Sequence, residues 1–302
     1  MQSTRSPHRQ PPQVPRGKPA LMSERVRYSA VFWTFMRNSL VREMTFRSHF
    51  IIESIASLSW PLMNLGFYKL IFLYTKEIGA NTGWGEYEFY AFLATTMIVN
   101  SLVQAFFMPN CEEFSELIRT GGLDFALLKP IDTQFLVSLQ RVSWSSLANT
   151  VLGIGLLGVS LWTLATRETA PLAITWWAVA IYPLFVACGV AILYSLMIAL
   201  SAMSIWMGRN QSLYDFWFYI TNFSRYPMEI YAGTWGTPLR FTFTYLIPVL
   251  VVVNVPARLV AQPLRPENAL LALYTLLATF LALAASRWVF QRALLRYRSA
   301  SS

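Results

Sequence analysis

The sequence predicts an all-α integral membrane protein with six transmembrane helices, on three observations. Apolar runs at 50–74, 90–108, 142–164, 175–207 and 269–290 are each long enough for the ~20 helical residues that span a bilayer core. Hydrophobic residues make up 55% of the 302-residue chain and charged residues 13%, against roughly 25% charged in soluble domains. The stretches suited to water, before residue 50 and between 109 and 141, fall short of the ~50 residues an independent domain needs. A single membrane domain over 24–298 is expected, with no room for a catalytic domain of its own.

The net charge of +9 is placed for a membrane rather than for nucleic acid. Arg25, Arg27, Arg37, Arg42 and Arg47 precede the first span, and Arg287, Arg292, Arg296 and Arg298 close the last. The positive-inside bias puts both termini on the cytoplasmic side of a multi-pass protein in contact with lipid headgroups. Cys111 and Cys188 fall in a connection and a span, so no disulfide is expected between them. His8 and His49 are the only histidines, too few for a His/Cys metal cluster.

Residues 1–23 form a Pro/Arg-rich leader with almost nothing to bury, read as disordered and without the apolar core of a secretory signal. A helix over 24–47 follows, with Ser23 as N-cap. Tyr28, Phe32, Phe35, Leu40 and Met44 share one face, away from Arg25, Arg37, Arg42 and Arg47. That pattern fits an amphipathic helix in the inner headgroup layer, and equally a helix packed on the bundle. In the first span, Glu53 and Lys69 lie near opposite ends and snorkel to the interfaces. The acidic loop at 75–89 suits the outer face.

The second span returns the chain inside, where the most polar interior stretch begins. Cys111–Thr120 reads as a short helix capped by Asn110, with Glu112 and Glu113 at its favourable N-terminal end and Gly121 and Gly122 after it. Phe114, Leu117 and Ile118 form an apolar face flanked by Glu113, Glu116 and Arg119. Such a helix suits docking into the groove of another protein or packing under its own bundle. In the third span Gly153, Gly155 and Gly158 match G-x-G-x-x-G letter for letter. A nucleotide site needs a preceding strand and open water, so the glycines are read as sites of close helix packing.

The fourth span contains Pro183 and Gly189, which favour a tilt or kink. Two placements of the fifth remain open. Either 212–226 is a short span followed by a re-entrant region at 227–262, or 213–225 lies on the inner surface and 241–255 crosses. Trp217, Phe218, Tyr219, Tyr231 and Trp235 are read as an interfacial aromatic belt in preference to a lipid-like cargo site.

The stretch Glu116–Asp132, ELIRTGGLDFALLKPID, resembles the motif after the second span of bacterial six-span ABC-2 type permeases. Asn38–Met44 (NSLVREM), Arg225-Tyr226-Pro227 and Val255-Pro256-Ala257 are similar as well, and the likeness covers about 24–298. The resemblance implies the ABC-2 (type V exporter-like) permease fold in the bacterial cytoplasmic membrane. It implies an ATP-driven exporter whose permease subunits pair, as two copies or with a sister permease, on a separately encoded ATPase. The segment from Glu112 to Asp132 then acts as the coupling element, with Glu112, Glu113, Phe114, Glu116, Leu117, Ile118, Arg119, Gly121, Gly122 and Asp124 as its site residues. Arg225, Pro227, Pro248 and Pro256 mark an outer re-entrant exit region, which favours the first placement of the fifth span.

No cofactor is expected on this chain, with ATP and Mg²⁺ held by the partner subunit. The only Gly-Lys pair, Gly17-Lys18, is followed by proline, so no P-loop is present. The alternative function, an ion- or proton-coupled secondary transporter, needs an ionisable group at mid-membrane and has only Asp215 to offer. A membrane-embedded enzyme lacks any constellation of nucleophile and base in the spans.

Overall fold

The computed structural model describes residues 27–79, 82–168, 172, 175–207, 211–262 and 266–297. The proposed Ser23 cap and the leader lie outside them. Twelve α-helices are present among the described residues: α1 (Tyr28–Thr45), α2 (Arg47–Phe72), α3 (Glu86–Phe106), α4 (Met108–Arg119), α5 (Gly122–Leu127), α6 (Thr133–Leu139), α7 (Leu147–Thr166), α8 (Trp176–Met207), α9 (Gln211–Asn222), α10 (Gly233–Phe241), α11 (Val251–Ala261) and α12 (Pro266–Leu294). Five of these, α2, α3, α7, α8 and α12, are long and apolar enough to cross a membrane.

The core is built on α3 and α8. α3 packs along α7, and α8 along α12, with α11 lying against both α3 and α8. Hydroxyls inside the bundle donate to their own helix: Thr95 to the Ala91 carbonyl (2.8 Å), Ser160 to Leu156 (2.7 Å) and Thr275 to Leu271 (2.8 Å). These bonds satisfy polar groups that have no water to turn to. Of the three glycines in α7, only Gly153 serves close packing, since a Cβ there would meet Ile98 Cγ1 at 2.9 Å and the Ala94 carbonyl at 3.1 Å. Gly155 and Gly158 face open space, because successive helix positions turn to different sides. α8 runs without a break in its helix through Pro183 and Gly189.

The third span begins at Leu147, not at 142, and residues 142–144 dock the connection to other elements through their backbone donors. Val142 N–H donates to Ser39 Oγ (3.1 Å), Ser143 N–H to the Ala105 carbonyl (2.8 Å), and Trp144 N–H to both Glu43 oxygens (3.0 and 3.1 Å). These contacts also change the reading of α1. Its buried line runs through Met36 and Ser39 toward Glu43, so polar residues dock it, while Trp33 and Val41 stay exposed.

Burial pushes the Glu43 carboxyl above its ordinary value of 4.5, against the lowering effect of the Trp144 and Ser145 N–H groups. The folded state therefore holds this proton more tightly than the unfolded chain. Its contribution to stability is complete below 4.5 and declines as pH rises through the folded value. Glu43→Gln keeps one acceptor and removes the titration. Melting temperatures across that window should decline for the native chain and flatten for the variant, and identical profiles would contradict the assignment.

The region of the fifth crossing holds a bent helix pair whose two ends lie close together. The segments Gly233–Leu246 and Val251–Ala261 meet at 93°. Before the pair, Glu229 accepts from Trp84 Nε1 (3.0 Å), and after it, Gln262 Nε2 donates to the Gly83 carbonyl (3.4 Å). Both ends thus sit beside the same loop between α2 and α3, an arrangement that favours a hairpin over a full crossing. The chain is carried from the far end of α8 to that level by α9 and the 3₁₀ turn Phe223–Arg225. Trp217, read as part of an interfacial belt, is buried, with its Nε1 directed at the Leu193 carbonyl at 3.4 Å.

Candidate functional site

Two groups of residues occupy opposite ends of the bundle. The first is the connection between α3 and α7. α4 starts at Met108, with Pro109 in its first turn, where a missing N–H costs nothing. Asn110 is therefore inside the helix and does not cap it. Its buried side chain is a clip: Nδ2 donates to the Phe106 and Arg141 carbonyls (2.9 and 2.7 Å), and Oδ1 accepts from Arg141 N–H (2.7 Å). Gly121, with φ +74°, turns the chain out of α4, a left-handed conformation that favours glycine. A Cβ on Gly122 would meet Leu117 Cδ2 at 2.9 Å.

The apolar face of α4 faces inward. Phe114 is completely buried, its ring 5.8 Å from that of Phe290 on α12, and Leu117 and Ile118 pack against the same core. Of the two arrangements the pattern allowed, the single chain shows packing under its own bundle, complete for Phe114 and partial for Leu117 and Ile118. The polar residues lie outside: Glu112 is exposed, Glu113 is ion-paired with Arg141, and Glu116 accepts from Arg119 at 2.9 and 2.5 Å.

The connection is also tied to α8 and α12. Asp132 caps α6 by accepting Phe135 N–H (3.0 Å) and is gripped by both arms of Arg287, one at 2.9 Å. Those guanidinium hydrogen bonds hold the Asp132 carboxyl below its usual range. Arg287 also donates to Gln134 Oε1 (3.0 Å), and Gln134 Nε2 donates to the Tyr194 hydroxyl (3.0 Å) on α8. Asp124 sits beside the Tyr297 hydroxyl, whose pKa burial and the carboxylate push up.

Apolar residues are exposed one helix later than the sequence pattern indicated. Phe125 on α5 is 73% exposed and Leu128, just after it, 82%. They lie beside Asp124, at the level of Tyr297 beyond the end of α12. Lone exposed apolar residues are ordinary, and two at one tip with Asp124 and exposed Lys129 beside them in the chain resemble an anchor with a polar rim. Sequence reasoning missed them because α5 is too short to display a periodicity.

The second group surrounds the bent hairpin of α10 and α11. Arg225 lies over the Phe218 ring at 5.4 Å, and Pro227 opens the turn Met228–Ile230. Pro248 stands at the tip, where Leu250 N–H donates to the Phe243 carbonyl (2.9 Å), and Pro256 lies inside α11. The organising residue is one not singled out from sequence. Asn254 is fully buried, accepts Met228 N–H (2.9 Å) and donates to the Leu250 carbonyl (2.8 Å). Glu229 joins Trp84 to Arg258, with which it is ion-paired. An amide inside an otherwise apolar run was the available signal. Asp215 is exposed in the second turn of α9.

No curated protein and no solved structure matches the chain. The family model described as ABC-2 family transporter protein matches residues 58–301, which takes in α3 to α12, both groups of residues and the hairpin. The chain belongs to the ABC-2 family of transporter proteins and is a multi-pass ABC transporter permease.

Proposed function

We propose that this permease is the membrane half of an ATP-driven exporter of the bacterial cytoplasmic membrane. It works as a pair, with a second copy or a sister permease, on a separately encoded ATPase that holds ATP and Mg²⁺. The observation that carries the reading is the exposed tip of Phe125 and Leu128, set on a connection fastened to α8 and α12. A partner that moves this tip moves two long helices with it, since Phe114, Gln134 and Asp132 leave little slack.

Both termini face the cytoplasm in this reading, as the flanking arginines favour. ATP-driven closure of the partner shifts the bundle between inward- and outward-facing states, which requires the partner to bind those states unequally. Glu112, Glu116 and Arg119 form the polar side of the contact. In proteoliposomes holding the permease and its ATPase, Glu116→Ala with Arg119→Ala should leave the protein inserted and hydrolysis detectable while ATP-dependent transport falls to background. Transport at the native rate by this variant overturns the coupling assignment.

A further inference from the structure

A cavity of ≈ 500 Å³ lies between α8, α11 and α12, on the side of the bent hairpin. That volume is within the ~300–1,000 Å³ of ligand pockets. Its walls sort by depth. Arg258 and Asn268 stand at the level of the loop between α2 and α3, joined to it through Glu229 and Trp84. One or more turns deeper the lining is apolar, through Ile181, Phe185, Val255 and Ala272, with Trp177 and Leu259 beside the mouth. Trp177 and Phe185 are eight positions apart on α8, a depth of ~12 Å along the helix axis. The cavity is thus polar at the membrane surface and apolar toward its middle.

We propose that this cavity is a lipid site that takes one acyl chain of a membrane phospholipid, with the phosphate at Arg258 and Asn268. A water-soluble ligand has no complementary groups along the apolar walls, and an uncharged hydrocarbon makes no use of the guanidinium. Arg258 is 12% exposed and its Nη2 is held by Glu229, so the arm directed at Asn268 makes a charge-assisted hydrogen bond to a phosphate oxygen with little competition from water. Asn268 Oδ1 lies 3.5 Å from Arg258 Nη1, a long contact that yields readily to a charged acceptor. The Glu229 pair orients the guanidinium from the side of the loop. Because Arg258 belongs to α11, a lipid seated here braces the returning arm of the hairpin against α8 and α12. The site stands whether or not ATP drives the chain, so its failure leaves the transport reading untouched.

The test uses the full chain in mild detergent, with lysophosphatidic acid and the monoacylglycerol of the same chain length as competing probes, read by native mass spectrometry. The native protein should retain the phosphate-bearing lipid at least ~10-fold over the glyceride, as a charge-assisted contact implies. Ala272→Phe fills the slot without touching the ion pair, and both probes should be lost. Arg258→Gln should retain both with the preference reduced toward unity. If Ala272→Phe fails to elute as a folded species, Ala269→Trp, at the exposed mouth, replaces it as the blocking variant, and if Arg258→Gln fails, Asn268→Leu replaces it with the same reduced preference expected. Equal retention of the two probes by the native protein, or undiminished binding after the slot is filled, would overturn the proposal.

Discussion

Phe125→Glu combined with Leu128→Glu should release the permease from its ATPase while leaving it folded in the membrane. Both side chains are exposed in the single chain, so a charge at either position costs the isolated fold little. In a complex the same positions are desolvated, and each lost apolar anchor is worth ~2 kcal/mol or more, about 30-fold in affinity. Titration of the purified ATPase against the permease in nanodiscs gives the number directly. Phe114→Ala is the contrasting variant. Its ring is buried against Phe290, so truncation should cost ~3–5 kcal/mol of stability through the cavity it leaves, and should lower the melting temperature before it alters affinity. Unchanged binding in the 125/128 variant would move the contact elsewhere on the connection.

Gly189→Val should be the most damaging single change in the spans. A Cβ at 189 would stand 2.6 Å from the Val252 carbonyl oxygen and 3.1 Å from Val252 Cγ1. The oxygen is backbone and cannot rotate away, so the whole hairpin must shift. Overpacking of this kind costs ~1–3 kcal/mol, a fall in melting temperature on the order of 5 °C. Gly155→Ala is the internal control: nothing lies within 4 Å of the added carbon, and loss of a helical glycine gains ~0.5–1 kcal/mol. Thermal unfolding of both variants in one detergent should therefore move in opposite directions. A Gly189→Val protein that melts with the native one would show that the hairpin is not seated against α8.

The spans were legible because long apolar runs have few alternatives, and their ends were misjudged where tertiary partners dock the chain. The start of α7 lies at 147 and not at 142, and the residues between dock on Ser39 and Glu43, partners distant in sequence that no local pattern reveals. Asn110 illustrates the same limit. Its residue type fits a cap, and only the approach of Arg141, distant in sequence, turns it into a clip. The motif at 116–132 located the connection, yet the direction of the α4 face depended on Phe290, which no local pattern reveals. The fifth crossing could not be chosen from hydropathy, since both candidate segments are short and interrupted. The contacts of Trp84 and Gly83 with both ends of the hairpin favour the first placement.

The central claim is that this permease works with an ATPase carried on another chain. The most direct measurement is purification from its native membrane in mild detergent, followed by mass spectrometry of everything that stays bound. The account predicts a P-loop ATPase in stoichiometric amount, with a second copy or a sister permease in the same complex. A monodisperse preparation free of any ATPase, and still free of one after cross-linking in intact membranes, would contradict it.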